Sequence, residues 1–333
     1  DFAVLKNRLS GTFEIYEREN VGMLINETVP ATLGGTTPKL NKGNFVAKGW
    51  EVELHWKDRI NDDFKYNIGV TLSDAKTEIT KYGGGVVIAA GLNNTVGGSQ
   101  FIVGKPINAI YSYKTDGYLQ NLAEVAAYYT QPVQGTTNQL IPGSVRRLDV
   151  NNDGRITTAD LVYYGDANPH YLFGVNLDLN YKNFDFRFFI QGVGQQYNVR
   201  TGALSSPFTS NFTNQNATFY GQTWTAENTD ARYPVMSRYS SIRNTWIYRD
   251  INDINVNNSW YVRAKSVVLG YTLPDKLLNY MKMDNVRFYV SGDNLFTISN
   301  VSDGFDPETK PNSNQGNIDV YARTFSFGID LTL

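Results

Sequence analysis

No cysteine occurs in the 333 residues, which removes disulfides, thiolate catalysis and cysteine-based zinc sites together. It leaves the compartment open. His55 and His170 are the only histidines, and neither has a second ligand at metal spacing, so each reads as a polar surface or lumen residue. Neither sign of charge dominates: 30 Lys and Arg stand against 32 Asp and Glu, a formal net charge of −2, and this near-neutrality argues against nucleic acid as the partner. Long apolar runs are missing too. The longest, around Val86 to Leu92, falls far short of the roughly eighteen residues a transmembrane helix needs, so a helical membrane protein is excluded. A β-barrel is not, because its strands need only about ten alternating residues each. Marks of catalysis are also lacking. There is no Gly-x-Ser-x-Gly elbow, no Gly-Lys-Ser/Thr follows the glycines at 83–85, and no two carboxylates are marked as a glycosidase pair. An enzyme is not indicated. The Asn-x-Ser/Thr triplets at Asn26, Asn211 and Asn216 read as chance in Asn- and Thr-rich loops.

What is present is aromatic residues and alternation. With 22 Tyr, 18 Phe and 29 Gly, 41% hydrophobic and 19% charged residues, the chain is not disordered. Period-two patterning predicts strands over Arg8–Asn20, around Trp50–Trp56, over Phe64–Ser73, over Tyr171–Tyr181 and Phe184–Gln191, from near Ser259 to Thr272, and over Val286–Phe296 and Arg323–Leu333. Lys182-Asn183 joins the fourth and fifth as a hairpin. Trp50, Val52, Leu54 and Trp56 share one face, and Glu51, Glu53 and His55 the other. The six-residue step from Trp50 to Trp56 spans about 20 Å at roughly 3.3 Å per residue, close to the roughly 25 Å apolar band of an outer-membrane barrel and its aromatic girdles. A sandwich core would also take both tryptophans. In the hairpin, Phe173, Val175, Leu177, Leu179 and Tyr181 oppose Gly174, Asn176, Asp178 and Asn180, a polar side of small residues. Pro274 opens a brief helix over Asp275–Met281, and a helix-like run covers Leu119–Tyr129.

Loop lengths test the topology. If strands alternate up and down, the short links (57–63, 182–183, 273–285) fall on one side and the long ones (21–45, 81–170, 196–258, 297–322) on the other. That is the asymmetry of an outer-membrane barrel. It requires about eight spanning strands, with Ile110–Tyr118 a strand confined to a loop. The fold class expected is all-β, an antiparallel transmembrane barrel wall with long extracellular loops.

One stretch carries candidate ligands. Asp149, Asn151, Asp153, Arg155, Thr157 and Asp160 occupy positions 1, 3, 5, 7, 9 and 12 of a loop with Gly154 at 6 and Ile156 at 8, the spacing of an EF-hand calcium loop. A hard cation needs six to eight oxygens from one short segment, so the chain must coil tightly, and Gly154 permits the turn. Arg155 offers its carbonyl, and Asp160 stands in place of the usual glutamate. The flanks lack two clear helices, so the expected Ca2+ is structural, bracing a long loop; an Asx-rich turn that happens to match the spacing is the other reading.

Pro142-Gly143, Asp149 to Asp160, Gly165, Pro169, Tyr171, Gly174, Tyr181, Phe184-Asp185 and Gln191-Gly192 together resemble the C-terminal region of SusC/RagA-like TonB-dependent outer-membrane transporters. Gly104-Lys-Pro106 with Tyr113 to Gly117, Tyr261-Val-Arg263 with Leu269 to Pro274, and Gly292-Asp-Asn294-Leu-Phe296 extend the likeness, which starts at Asn7 to Gly11 and reaches the last strand. The resemblance implies a barrel of roughly 22 strands around an N-terminal plug, in the Gram-negative outer membrane. It further implies TonB-driven import of oligosaccharides or peptides, with a SusD-like surface lipoprotein as lid. Residues 1–333 then form the C-terminal barrel portion, 81–170 an extracellular insert holding the calcium loop. The chain starts at Asp1 without an export signal, so the plug and remaining strands are expected outside it. A soluble, calcium-stabilised β-sandwich that binds glycans is the other reading; it requires the apolar face to meet a second sheet.

Overall fold

The computed structural model describes residues 1–26, 39–83, 102–128, 140–200, 217–236, 252–301, 306–309 and 321–332. Strand β1 (Phe2–Val4) folds back on β2 (Leu9–Asn26), followed by β3 (Lys39–Arg59) and β4 (Phe64–Tyr82). A first insert holds β5 (Ala109–Tyr113), β6 (Thr115–Tyr118), helix α1 (Leu122–Tyr128), β7 (Val145–Arg147) and β8 (Leu161–Asp166). Next come β9 (His170–Tyr181) and β10 (Phe184–Gln195). A second insert begins with β11 (Tyr197–Val199) and ends with β12 (Val256–Asn258). The chain finishes with β13 (Tyr261–Thr272), helix α2 (Asp275–Met281), β14 (Asn285–Ser299) and β15 (Thr324–Thr332).

Nine strands make one sheet in the order β1-β2-β3-β4-β9-β10-β13-β14-β15, antiparallel at every joint. Leaving aside three-residue β1, eight long strands remain, the expected number. The short links, 60–63, 182–183 and 273–284, lie on one side, and both inserts lie on the other. Ile110–Tyr118 is a loop strand as expected, split into β5 and β6.

Register sorts the side chains into two surfaces. Leu54 pairs with Val70, Val70 with Val175 and Val175 with Ile190, an apolar row. Phe64, Tyr181, Phe184, Tyr271, Phe288 and Ile329 form a second row at the short-turn side. Within it the Phe64 and Tyr181 rings lie 6.1 Å apart and those of Phe184 and Tyr271 4.7 Å. This is an aromatic girdle of the kind that borders a barrel's apolar band. On the opposite surface Thr12, Glu53, Thr71, Gly174, Gln191 and Arg263 line up in one polar row.

Among the described residues no second sheet covers the apolar band. Phe327 is 83% exposed, Phe325 66% and Leu54 38%, and the remaining sheets are two-stranded. The sandwich reading is therefore overturned. A continuous apolar face of this extent is untenable in water and is what hydrocarbon requires. Close packing on the polar side is visible at Gly270, where a Cβ would lie 2.3 Å from Asp185 Oδ1 and 2.5 Å from an Arg287 nitrogen. The bare backbone lets Arg287 cross to Asp185 at 2.7 Å while also holding Asp330 at 2.9 Å.

Several boundaries differ from expectation. The first strand runs to Asn26 rather than Asn20, the second spans Lys39–Arg59 rather than the stretch around Trp50–Trp56, and the third runs to Tyr82 rather than Ser73, so strand takes up much of the loop expected at 21–45. Amphipathic alternation marks only the part in lipid, whereas backbone pairing continues beyond it, down to Asn26 opposite Lys39. Helix α2 matches its expected limits, and α1 covers Leu122–Tyr128. The Val86–Leu92 run, Gly84, Gly85, Asn211 and Asn216 lie outside the described residues.

The two surfaces respond oppositely to charge. In the intact barrel, Leu177→Arg at mid-band lowers stability in lipid vesicles by about 2–4 kcal/mol, while neighbouring Asn176→Arg costs much less; urea titration of gel-shift migration measures both.

Candidate functional site

The water side of the wall carries a packed body rather than loose loops. Tyr113, Leu119, Val125, Tyr128, Leu140 and Ile156 form one buried cluster within the first insert. A second cluster joins the two inserts: Tyr118 and Val145 from the first bury against Trp224 of the second, with Val235 and Ile254 beside them. Polar contacts lock the seam. Asp253 accepts from the Thr115 amide at 3.1 Å, from the Thr115 hydroxyl, and from the Tyr164 hydroxyl at 2.9 Å. Arg147 Nε donates to Asn252 at 2.8 Å, and Trp224 Nε1 to Gln120 at 3.2 Å. Burial pushes the Tyr164 phenol well above its ordinary range, and the Asp253 carboxylate adds to it. Burial raises Tyr118 and Tyr128 as well. These hydroxyls therefore stay neutral donors across physiological pH.

Two anchors tie loop chain to the wall, the first of them joining the first insert to β4. His170 is not the surface or lumen residue expected. It is buried, with Nδ1 2.7 Å from Asp74 of β4 and Nε2 3.3 Å from Asp166 of β8. His55 does face the polar surface, 2.7 Å from Glu53. The second anchor is Arg263 of β13, 3% exposed, which reaches Asp306 at 2.8 Å and Glu308 at 3.1 Å and donates to Thr297 at 2.7 Å. Lys265 adds a 2.6 Å contact to Glu308, so residues 306–309 fold onto the polar surface.

The expected metal loop lies in the first insert. Asp149 accepts from the amides of Asp153 at 3.2 Å and Gly154 at 2.7 Å, so the chain coils around its carboxylate. Gly154 has φ +80°, the left-handed conformation that favours glycine. Asn151 Oδ1 accepts from Asp153, whose own Oδ1 accepts from Arg155. Thr157 Oγ1 accepts from Ala159. Asp160, fully buried, takes the amides of Val150 at 2.9 Å, Asn151 at 3.4 Å and Thr157 at 2.7 Å. Ile156, at position 8, is 2% exposed in the insert core. Among the described residues no three His, Cys, Asp or Glu side chains form a metal-binding group; Asp149, Asp153 and Asp160 each turn to amides.

No family model matches the sequence. The TonB-dependent receptor P3 of Formosa agariphila is 28% identical over 99% of this chain and 33% of its own length. The TonB-dependent receptor SusC of Bacteroides thetaiotaomicron is 24% identical over 100% of this chain and 31% of its length. Among solved structures, the RagAB peptide importer in its open-open state superimposes with a TM-score of 0.71 at 19% identity, over 99% of this chain and 33% of that one. The chain is SusC-like. It spans about a third of the length of the curated relatives it matches, and its place is the outer membrane of Gram-negative bacteria. In this SusC-like wall the joint body of the two inserts and the Asp74–His170–Asp166 anchor are what sequence reasoning missed. Contacts between irregular segments roughly a hundred residues apart leave no periodic signal in one sequence.

The seam gives a direct test. Asp253→Ala leaves Thr115 and Tyr164 without their acceptor and costs the insert body about 1–3 kcal/mol. Limited proteolysis of the intact receptor then cuts within the inserts at lower protease concentration, while heat-modifiable migration of the barrel is unchanged.

Proposed function

We propose that the chain is the wall and outer platform of a TonB-dependent importer of oligosaccharides or peptides, working with a SusD-like surface lipoprotein. The observation that carries this reading is the combination of a lipid-facing meander with a packed body built from two inserts on its long-loop side. A wall alone fits any barrel; a rigid external platform fits capture of a large solute before entry. The relatives' names point the same way: SusC and the TonB-dependent receptors for the class, RagAB for peptide import. The 81–170 and 196–258 segments are the proposed contacts for lipoprotein and solute. TonB would be engaged through the rest of the receptor, which would also supply the plug and the remaining strands. Replacing 196–258 by a short linker in the full-length receptor should abolish lipoprotein co-purification and reduce uptake of labelled oligosaccharide or oligopeptide to the level of a TonB-deficient strain. Uptake and co-purification at wild-type levels would sink the proposal, and the solute that is taken up decides between glycan and peptide.

We also propose structural Ca2+ in the 149–160 loop. Asp149, Asn151 and Asp153 would hold it with their side-chain oxygens, Arg155 with its carbonyl, and Thr157 and Asp160 would complete the set. Each carboxylate oxygen that accepts one amide keeps a further lone pair, and the tight coil around Asp149 supports this reading. Because Ile156 sits in the insert core, metal here would brace the platform. Chelation should raise the protease sensitivity of the first insert in the wild-type receptor. In a D149A/D153A variant sensitivity should be high with or without calcium. A wild type indifferent to chelation removes the metal.

A further inference from the structure

Where the wall leaves the bilayer, its lipid-facing side opens a cavity of about 1230 Å3. Along β2, β3 and β4 the outward positions are apolar up to Ile15, Trp50 and Leu72; the next ones are Glu17, Lys48 and Asp74, then Lys76 and Glu78. The cavity straddles that change. Phe13, Ile15 and Trp50 form its floor, Lys48, Lys76 and Glu78 its upper wall, and the first insert overhangs it. Asp74 is already engaged by His170. Lys48 keeps a 3.2 Å pair with Glu17 in which both side chains are over 60% exposed, and such a pair is worth little. Lys76 and Glu78, two residues apart on one face, have no ion pair among the described residues.

We propose that this cavity holds one outer-leaflet lipid whose headgroup carries both a phosphate and an amine. The phosphate sits on Lys48 and Lys76, the amine on Glu78, and the acyl chains run down over Phe13, Ile15 and Trp50. Continuity of the floor with the lipid-facing band makes the membrane the source of the occupant. The volume exceeds the roughly 300–1,000 Å3 of ordinary small-molecule sites, which leaves space for a headgroup and its first methylenes. A purely anionic headgroup would be set against Glu17 and Glu78. An uncharged one would leave Lys76 and Glu78, both exposed, unanswered. A headgroup with both signs satisfies both.

The test is native mass spectrometry of the full-length receptor released from nanodiscs containing equal phosphatidylethanolamine, phosphatidylglycerol, and lipid A with and without phosphoethanolamine. One amine-bearing lipid should survive collisional stripping, and its mass tells whether the source is phospholipid or lipid A. K48A/K76A should lower its retention at least about tenfold, and E78Q should shift retention toward phosphatidylglycerol. Heat-modifiable migration verifies that each variant is a folded barrel. Equal retention of all lipids, or a preference that K48A/K76A leaves unchanged, overturns the proposal. Solute uptake is not the readout, so failure of the import reading and failure of this one are separable.

Discussion

A strand lying in hydrocarbon must have every amide and carbonyl paired by a neighbour, because no water is there to replace a missing partner. The order β2-β3-β4-β9-β10-β13-β14-β15 meets that demand without a crossover. It also fixes where irregular chain can go. The 60–63 and 182–183 links are tight turns and 273–284 holds only the short helix α2, while the two packed inserts lie on the opposite side. At the margins, among the described residues, β15 pairs only with β14, and β2 has only three-residue β1 on its outer edge. The sheet's own chemistry therefore calls for further strands, which agrees with a segment about one third as long as its relatives.

Legibility in the sequence followed the solvent. Where lipid lies on one side and a polar lumen on the other, every second residue is constrained, and Trp50 to Trp56, Phe173 to Tyr181 and Phe325 to Leu331 declared both strand and face. Beyond the bilayer both sides of a strand are wet. The extensions of β2 to Asn26 and β4 to Tyr82 accordingly lack the clean alternation of the band, although both still pair with β3, with register shifts. The tight coil at 149–160 was legible because its constraint is local. The seam at Asp253, with Thr115 and Tyr164, was not, because it depends on two inserts finding each other in space.

Buried charge appears where loop chain meets wall. Arg263 with Asp306 and Glu308, and His170 with Asp74 and Asp166, are each nearly excluded from water. Such groups add little net stability over apolar packing of the same volume, but removing one partner strands the other. Their effect is positional. An apolar contact tolerates sliding, whereas a guanidinium shared between two carboxylates admits one placement of residues 306–309 against β13.

The unequal lengths of β4 and β9 explain why the platform is attached at this point. β9 starts at His170, opposite the region of Ser73, while β4 continues to Tyr82. Above Ser73, then, β4 would expose an unpaired edge to water, a template for unwanted pairing. The first insert occupies it: Gly104 donates to the Ile79 carbonyl at 2.9 Å, and the Ile79 amide donates to Lys105 at 3.0 Å. Ile79 is left with no exposure at all. Asp74, the first outward residue above the band, is covered by His170 at the same step. A strand too long for the membrane thus becomes the edge on which the external body is built, and the position of that body relative to the lumen is inherited from the register of β4 with β3.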